Sequence, residues 1–342
     1  MLKLRRGVVV EADPLVVEVD GERRPAWADG GLVGEVAVGD EVVVNTEALD
    51  LGLGSGGFDV VHVNLTRGLA GSGTATDHVI KLNYTSLQHP VDPVELPYEE
   101  GEVAERSAAR PPLLVIHLHG HLAPAAWAAA QASPGLRLGY VQTAGGALPG
   151  SMSKVVAELR ERGLLAGHIT VAPCFGGEQE AISLVGALDA AAERLGWEAI
   201  VLGPGPGILG SATRYGHGGM AALESAHASL ALGFPTLLAP RLSSGDPRPR
   251  HRGVSHHTEA VLKLLLAPLR VAAPAGDDAS VDAIRAACGD RHEVVESAAD
   301  IEGYAESGLP ARTMGREIGE DPEFFASPLA AGRALGETVG DR

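Results

Sequence analysis

The chain has 342 residues, 45% of them hydrophobic, and a formal net charge of -17 at neutral pH. That hydrophobicity excludes a largely disordered chain. The negative balance argues against nucleic acid as a partner, which calls for a basic face, and against an anionic membrane surface.

Two widely separated cysteines, Cys174 and Cys288, exclude a disulfide scaffold and fit a reducing, cytoplasmic setting. No run of about 18 apolar residues is present to cross a membrane as a helix. The apolar run Val8-Val9-Val10 is too short for a secretion signal.

Residues 1–96 read as a small all-β domain of barrel or sandwich type. The β-branched runs at 8–10, 16–19 and 41–44 are separated by Asp13-Pro14, Asp20-Gly21 and Gly39-Asp40, each a turn signal. Gly52 to Gly57 reads as a hairpin connection before a further strand at 58–63. Residues 97–112 are charged, bounded by Pro97 and Pro111-Pro112, and lack apolar periodicity, which is linker composition.

From 113 to 342 the pattern is α/β. Strands are predicted at 113–117, 138–141, 168–172, 199–202, 236–239, 269–272 and 292–296. Helices are predicted at 124–132, 153–162, 178–195, 219–232, 255–266 and 280–288. This alternation predicts a parallel, doubly wound, Rossmann-like sheet with right-handed crossovers. Ligands of such sheets sit beyond the carboxyl ends of the strands. The segment after Pro310 reads as an acidic tail, and its Phe324-Phe325 pair predicts docking onto the body.

The loops after the strands therefore hold the candidate chemistry. His117, His119 and His121 share one face if extended, but a strand separates i and i+4 by about 13 Å, too far for one metal ion. His119 is the candidate among them, and no tightly bound zinc is expected. Cys174 precedes a predicted helix, where a thiol is activated; a small buried thiol is the blander reading. Ser151 to Lys154 matches Ser-x-x-Lys, but the companion motifs of that serine-acylase class are missing, and a helix cap with a surface lysine is the better reading.

Gly203, Gly205, Gly207 and Gly210 form a glycine-rich loop containing G-x-G-x-x-G. The dinucleotide reading fails because the next helix is delayed and no acidic residue follows at the required place. A cradle for an anion against backbone N–H groups remains. From 203 to 257 there are five arginines and two acids, a positive island in an acidic chain. Guanidinium forks match phosphate and carboxylate, so Arg250, Arg252 and the helix-capping Ser255 are candidate anion ligands. His119, His217, His256, His257 and Asp246 are candidate proton-transfer groups. An alternative set, Asp246, His251, His256 and His257, would bind metal.

Several of these pieces together resemble an uncharacterised bacterial family known only as domain of unknown function 3866. They are Tyr140-Val141-Gln142-Thr143, Gly145 to Pro149, Phe175-Gly176-Gly177, and residues 203–213 with Gly216-His217. His251 to Thr258, Met314-Gly315-Arg316 and Asp321 to Phe325 complete the set. The resemblance includes Leu118-His119 without requiring His117 or His121, and it does not centre on Cys174. It implies no activity, cofactor or catalytic residue.

The loops support an enzyme acting on a small anionic metabolite, phosphorylated ones included. A non-catalytic ligand-binding or regulatory protein and a metal-dependent hydrolase are the alternatives. Whether the chain turns over a substrate, its cofactor and its oligomeric state are left open.

Overall fold

The structure is a computed structural model describing residues 1–52, 57–71, 79–95, 109–211 and 213–340. Most of the expected linker (97–108) and the middle of the first glycine-rich loop (53–56) lie outside the described residues. The chain divides into two compact units, Met1–Asp92 and Pro93–Arg342.

In the first unit, strands Leu4–Ala12 (β1), Leu15–Val19 (β2), Glu22–Trp27 (β3), Glu41–Asn45 (β4) and Asp59–Asn64 (β5) close a barrel in the order β1-β2-β3-β5-β4. Three hairpin-linked strands with the fourth returning beside the first make a Greek key. The inward side chains are Val9, Val17, Val19, Val42, Val44 and Val61, all buried, as the period of two requires. Asp20 and Gly21 take φ of 51° and 83°, the two positive values a tight hairpin turn needs. Sequence reasoning missed β3, because Pro25 and two arginines interrupt its apolar pattern. Two helical turns, Gly30–Val33 (α1) and Glu47–Asp50 (α2), and a short ladder of Ile80–Lys81 (β6) with His89–Pro90 (β7) complete this unit.

The second unit is built on eight parallel strands. In chain order they are Leu113–Ile116 (β8), Leu138–Thr143 (β9), Gly167–Val171 (β10), Gln179–Ala181 (β11), Ala199–Pro204 (β12) and Thr236–Ala239 (β13). After the small ladder Leu242–Ser243 (β14) and Gly253–Val254 (β15) come Arg270–Pro274 (β16) and Glu293–Ser297 (β17). The sheet order is β11-β10-β9-β12-β8-β13-β16-β17. The α/β, Rossmann-like architecture read from the sequence is the one observed.

Helices cover both faces, and the side chains of one strand serve both. Leu113 and Val115 join the core under Leu184–Glu193 (α5), Ala221–Ala231 (α6), His256–Leu264 (α7) and Asp278–Cys288 (α8). Leu114 and Ile116 join the core under Leu122–Ala132 (α3), Lys154–Glu161 (α4), Ile301–Glu306 (α9) and Pro322–Gly340 (α10).

The single long helix predicted at 178–195 is two elements. Glu180 accepts hydrogen bonds from Gly176 N and Thr170 Oγ1, which hold 179–181 as the edge strand β11. Ser183 then caps α5. The segment read as an acidic tail is α10, whose Phe324 and Phe325 are buried in the second core. No helix of the described residues is long and apolar enough to cross a membrane.

Helix α10 lies directly on α3. A Cβ on Gly332 would fall inside van der Waals contact of the Ala125 carbonyl oxygen, which is backbone and cannot move aside. Gly332→Ala should therefore lower stability by about 1–3 kcal/mol, the usual penalty for overpacking a core. Gly319→Ala, with open space around it, should change stability by no more than about 0.5 kcal/mol. Urea midpoints of the two variants check this; equal midpoints would refute the close helix contact.

Candidate functional site

The sheet order decides which loops meet. Strands β8 and β12 are neighbours at the middle of the sheet, yet their following helices, α3 and α6, lie on opposite faces. The loops after them part there, which is the ligand-binding position of open parallel sheets. The segments after β8, β9, β10, β12 and β13 all lie at the same edge.

On the α6–α7 side, four imidazoles pack together. His217 ends the glycine-rich loop, His251 lies in a 3-10 turn, and His256 and His257 open α7. His217 and His257 stack at 3.6 Å between ring centres, 10° from parallel. His256 lies 4.5 Å from His257 and 5.2 Å from His217. His251 lies 4.9 and 5.0 Å from His256 and His257. Ser255 caps α7 by accepting from His257 N at 3.3 Å and gives its hydroxyl proton to His251 Nδ1 at 2.7 Å. It is thus bound within the protein as cap and ring anchor.

All four rings are held neutral. Burial lowers each, and the Arg241 charge lowers each further. His251 falls to about 3 and His256 to about 4, and His217 and His257 also shift down. Arg241 is itself buried, and burial brings it down to about 10. Its Nη1 donates to His257 Nδ1 at 3.1 Å, and its Nη2 reaches Asp246 Oδ2 at 3.4 Å.

Asp246 is not presented to a ligand. It is fully buried and accepts from Arg248 Nε and Nη2 at 2.9 and 2.8 Å, with Arg316 at 3.8 Å. Burial pushes its carboxyl up, but the Arg248 hydrogen bonds and charge outweigh that and leave it low. A carboxylate so occupied positions arginines and is not available as a base. Asp321 does the same nearby, accepting from Ser243 Oγ, Ser244 N, Gly245 N and Arg316.

The five arginines of the positive island divide accordingly. Arg241 and Arg248 pair with Asp246, and Arg252 Nε donates to the Asp246 carbonyl at 3.0 Å. Among the described residues neither Arg250 nor Arg214 has an ion-pair partner. Arg250 is exposed, and its charge is felt at His256.

The glycine-rich loop packs against backbone. Gly203 lies inside β12 against Ile116. A Cβ on Gly205 would meet the Ala147 carbonyl, and one on Gly146 would meet the Gly205 carbonyl. These glycines let the loops after β9 and β12 approach, and Ala147 N donates to Pro206 O at 2.6 Å. Gly207, at φ 67°, and Gly210 lie further out and are exposed. Helix α6 starts only at Ala221, so the loop does not run into its N-terminus.

His119 belongs to a second set on the β9 side. Its Nδ1 donates to Pro204 O at 3.3 Å, and its Nε2 accepts from Ser153 Oγ at 2.7 Å. Ser153 also caps α4 by accepting from Val156 N. His168 stacks on Tyr140 and bonds Gln142 Oε1 at 3.1 Å. His117 turns the other way, to Gly219 O and Thr258 Oγ1. His121 packs edge-on to Phe324 with both ring nitrogens buried and unpartnered. The three first-strand histidines thus diverge. Cys174 is buried, and β11 separates it from α5, so no helix N-terminus activates it.

Sequence reasoning missed Arg241 as the centre of the site, along with Arg316 and Asp321. A lone arginine after a strand gives no signal of its burial. The Met314-Gly315-Arg316 and Asp321 segments were visible as motifs but not as neighbours of residues 241–257.

A family model described as "Protein of unknown function (DUF3866)" matches residues 26–332. No curated protein and no solved structure matches the chain.

The β9-side histidines make stability depend on pH. Burial lowers His119 to about 4 and His168 to about 3 from an ordinary 6.5. The unfolded chain takes up these protons below pH 6.5 while the folded chain does not. Their contribution is therefore complete above about 6.5 and is lost as pH falls toward 4 and 3. Each contributes a slope of up to about 1.4 kcal/mol per pH unit in that window. Urea midpoints should fall steadily from pH 7 to pH 5, and less steeply in His168→Gln. A flat wild-type profile would contradict the buried neutral histidines.

Proposed function

The chain belongs to the family described as Protein of unknown function (DUF3866), and from that premise, which names no activity, we propose that the second unit is an enzyme acting on a small anionic metabolite. The observation that carries this is the cluster His217, His251, His256 and His257, held neutral beside a rim arginine, Arg250, that no carboxylate neutralises among the described residues. A neutral imidazole offers a ligand one lone pair and one N–H. An unpaired guanidinium at the same edge supplies the charge that a phosphate or carboxylate requires.

The roles divide by position. Arg250 and Arg252 are exposed and would hold the anion. His256, half-buried with Nε2 unpartnered, would exchange a proton with it. His257 and His217 would back that ring, and Asp246 would act through Arg241 as a positioning residue. His119 would support the loops after β9 and β12 through Ser153 and Pro204. Of the glycines, Gly207 and Gly210 would leave the rim open, while Gly203 and Gly205 would act by packing.

A ligand sensor would use the same arginines. What favours chemistry is the surplus of unshared imidazole lone pairs, which a simple anion receptor does not need. The buried, unbridged thiols Cys174 and Cys288 support the expected cytoplasmic setting, and the acidic charge supports a small molecule rather than nucleic acid as partner.

Inorganic phosphate and a panel of small carboxylates should raise the melting temperature of the wild-type chain. Arg250→Ala should weaken binding by about tenfold or more, because a charge-assisted hydrogen bond contributes roughly 1.5–3 kcal/mol. Arg252→Ala should weaken it similarly. Both should leave the melting temperature without ligand nearly unchanged. Calorimetric titration checks the affinities; no wild-type response, or full affinity in both variants, would remove the reading.

A further inference from the structure

We propose that His217, His256 and His257 form a binding site for one divalent transition-metal ion of the zinc class, and that this ion receives the anion of the site. The anion clause rests on the function proposed above, with His256 then a ligand of the ion in place of the proton-exchanging group; the metal clause does not.

One ring nitrogen from each of the three lies within 4.8 Å of the other two. Their positions come from separate parts of the chain, the end of the loop after β12 and the first turn of α7. The expectation of no tightly bound zinc rested on the histidines after β8, which the structure spreads apart. The nitrogens that converge belong to other loops.

Two ring nitrogens of these histidines are bare. His217 Nε2 lies 3.2 Å from the Arg214 carbonyl and donates to it. That leaves Nδ1 carrying a lone pair, and Nδ1 is buried with no partner. A ring nitrogen tied to a carbonyl while the other is left open is the usual state of a metal-binding histidine. His256 Nε2 is likewise buried without a partner. Buried polar atoms are nearly always satisfied in folded proteins, so two orphans in one cluster indicate a missing occupant.

Gly219 gives a second, independent indication. A Cβ there would lie 2.8 Å from His257 Nδ1 and 3.1 Å from His217 Nδ1. Both nitrogens border the space that this residue leaves by having no side chain.

The cluster must close to load. Nitrogens on one tetrahedral zinc are about 3.3 Å apart, given bonds of roughly 2.0–2.1 Å. His217 and His257 are stacked nearly parallel, and in-plane lone pairs of parallel rings do not meet at one point, so the stack has to open. Arg241 donates to His257 Nδ1, a bond that an ion on that nitrogen would displace.

Ligand chemistry sets the class of ion. An all-imidazole set suits zinc, cobalt or nickel, whereas magnesium and calcium take oxygen ligands. Charge sets what accompanies it. The charges of Arg241, Arg248 and Arg250 act on these rings, and that of Asp246 acts in the opposite direction on His251. A dication in that field needs an anionic fourth ligand: hydroxide, phosphate or carboxylate. Metal and anion should therefore bind cooperatively, each tightening the other by the same factor.

The test is a cobalt(II) titration of the full chain after chelator treatment and dialysis, read by visible absorption, with zinc content measured in parallel. One equivalent of cobalt should bind with the intense bands of a four-coordinate site. Phosphate should tighten binding at least fivefold. His217→Ala and His256→Ala should each weaken cobalt at least tenfold, and His227→Gln, outside the cluster with Nε2 accepting from Leu266 N, should bind like wild type. If either alanine variant loses its circular dichroism spectrum, His217→Gln or His256→Gln takes its place. No cobalt binding, or binding unchanged in the His217 and His256 variants, overturns the metal. Cobalt binding that is lost in those variants but indifferent to phosphate supports the metal and overturns the anion clause alone.

Discussion

The buried charge of Arg241 is the constraint on which the site depends. A guanidinium out of water is tolerated only with a carboxylate beside it, because desolvation of an unpaired ion is so unfavourable. Asp246 supplies that carboxylate, and Arg248 and Arg316 surround it in turn. The consequence is a knot joining residues 241–257 to the segment before α10. Asp321, the residue preceding that helix, ties down Ser243, Ser244 and Gly245 as well. Cutting one member leaves a buried charge uncompensated, which typically costs about 3–5 kcal/mol. The knot gives up stability for placement: it fixes His257 through Arg241 and keeps every ring of the cluster uncharged.

The glycines follow from the topology rather than from a ligand. Because β12 inserts between β8 and β9, the loops after β9 and β12 must pass within backbone contact of each other. Gly145, Gly146, Gly205 and Gly218 all meet carbonyl oxygens across that contact. A phosphate cradle needs N–H groups turned outward at a helix N-terminus. Here one N–H is spent on a partner loop, Ala147 on Pro206 O, and α6 begins only at Ala221, well past Gly203 to Gly210. The chain thus uses a glycine-rich sequence to assemble its loop layer, and the cationic part of the site comes from the arginines.

What was legible in the sequence was what depends on local order. Most strands and helices of the second unit up to residue 297 show their periods, whereas α9 went unread and α10 read as an acidic tail. The prediction of Ser255 as a cap, with His256 and His257 in the first turn, holds because a cap is a contact across a few residues. The edge strand β11 escaped because its partner bonds are made by Glu180, a residue that reads as helix-forming. Strand β3 escaped because Pro25 and its arginines hide its period. The site was half legible. Three of the four clustered histidines stand within seven positions, 251 to 257, but His217 joins them only through the order of β8, β12 and β13. Asp246 read as a base, since nothing in the sequence reports that three arginines surround it.

The electrostatics of the cluster explain why charge and chemistry occupy different residues. A chain of net charge -17 repels anions at long range, but at moderate ionic strength that field is screened within about 10 Å. Close to the site the arginines dominate. Those same arginines disfavour imidazolium, so the rings cannot themselves supply positive charge. Lone pairs are therefore abundant inside the cluster, and cationic attraction is confined to its rim at Arg250 and Arg252. In the function proposed above, an arriving anion would meet guanidinium first and neutral nitrogen second. Were the cluster charged, it would bind anions more strongly and accept no protons at all. Burial of the rings, with the Arg241 charge added to it, is what prevents that.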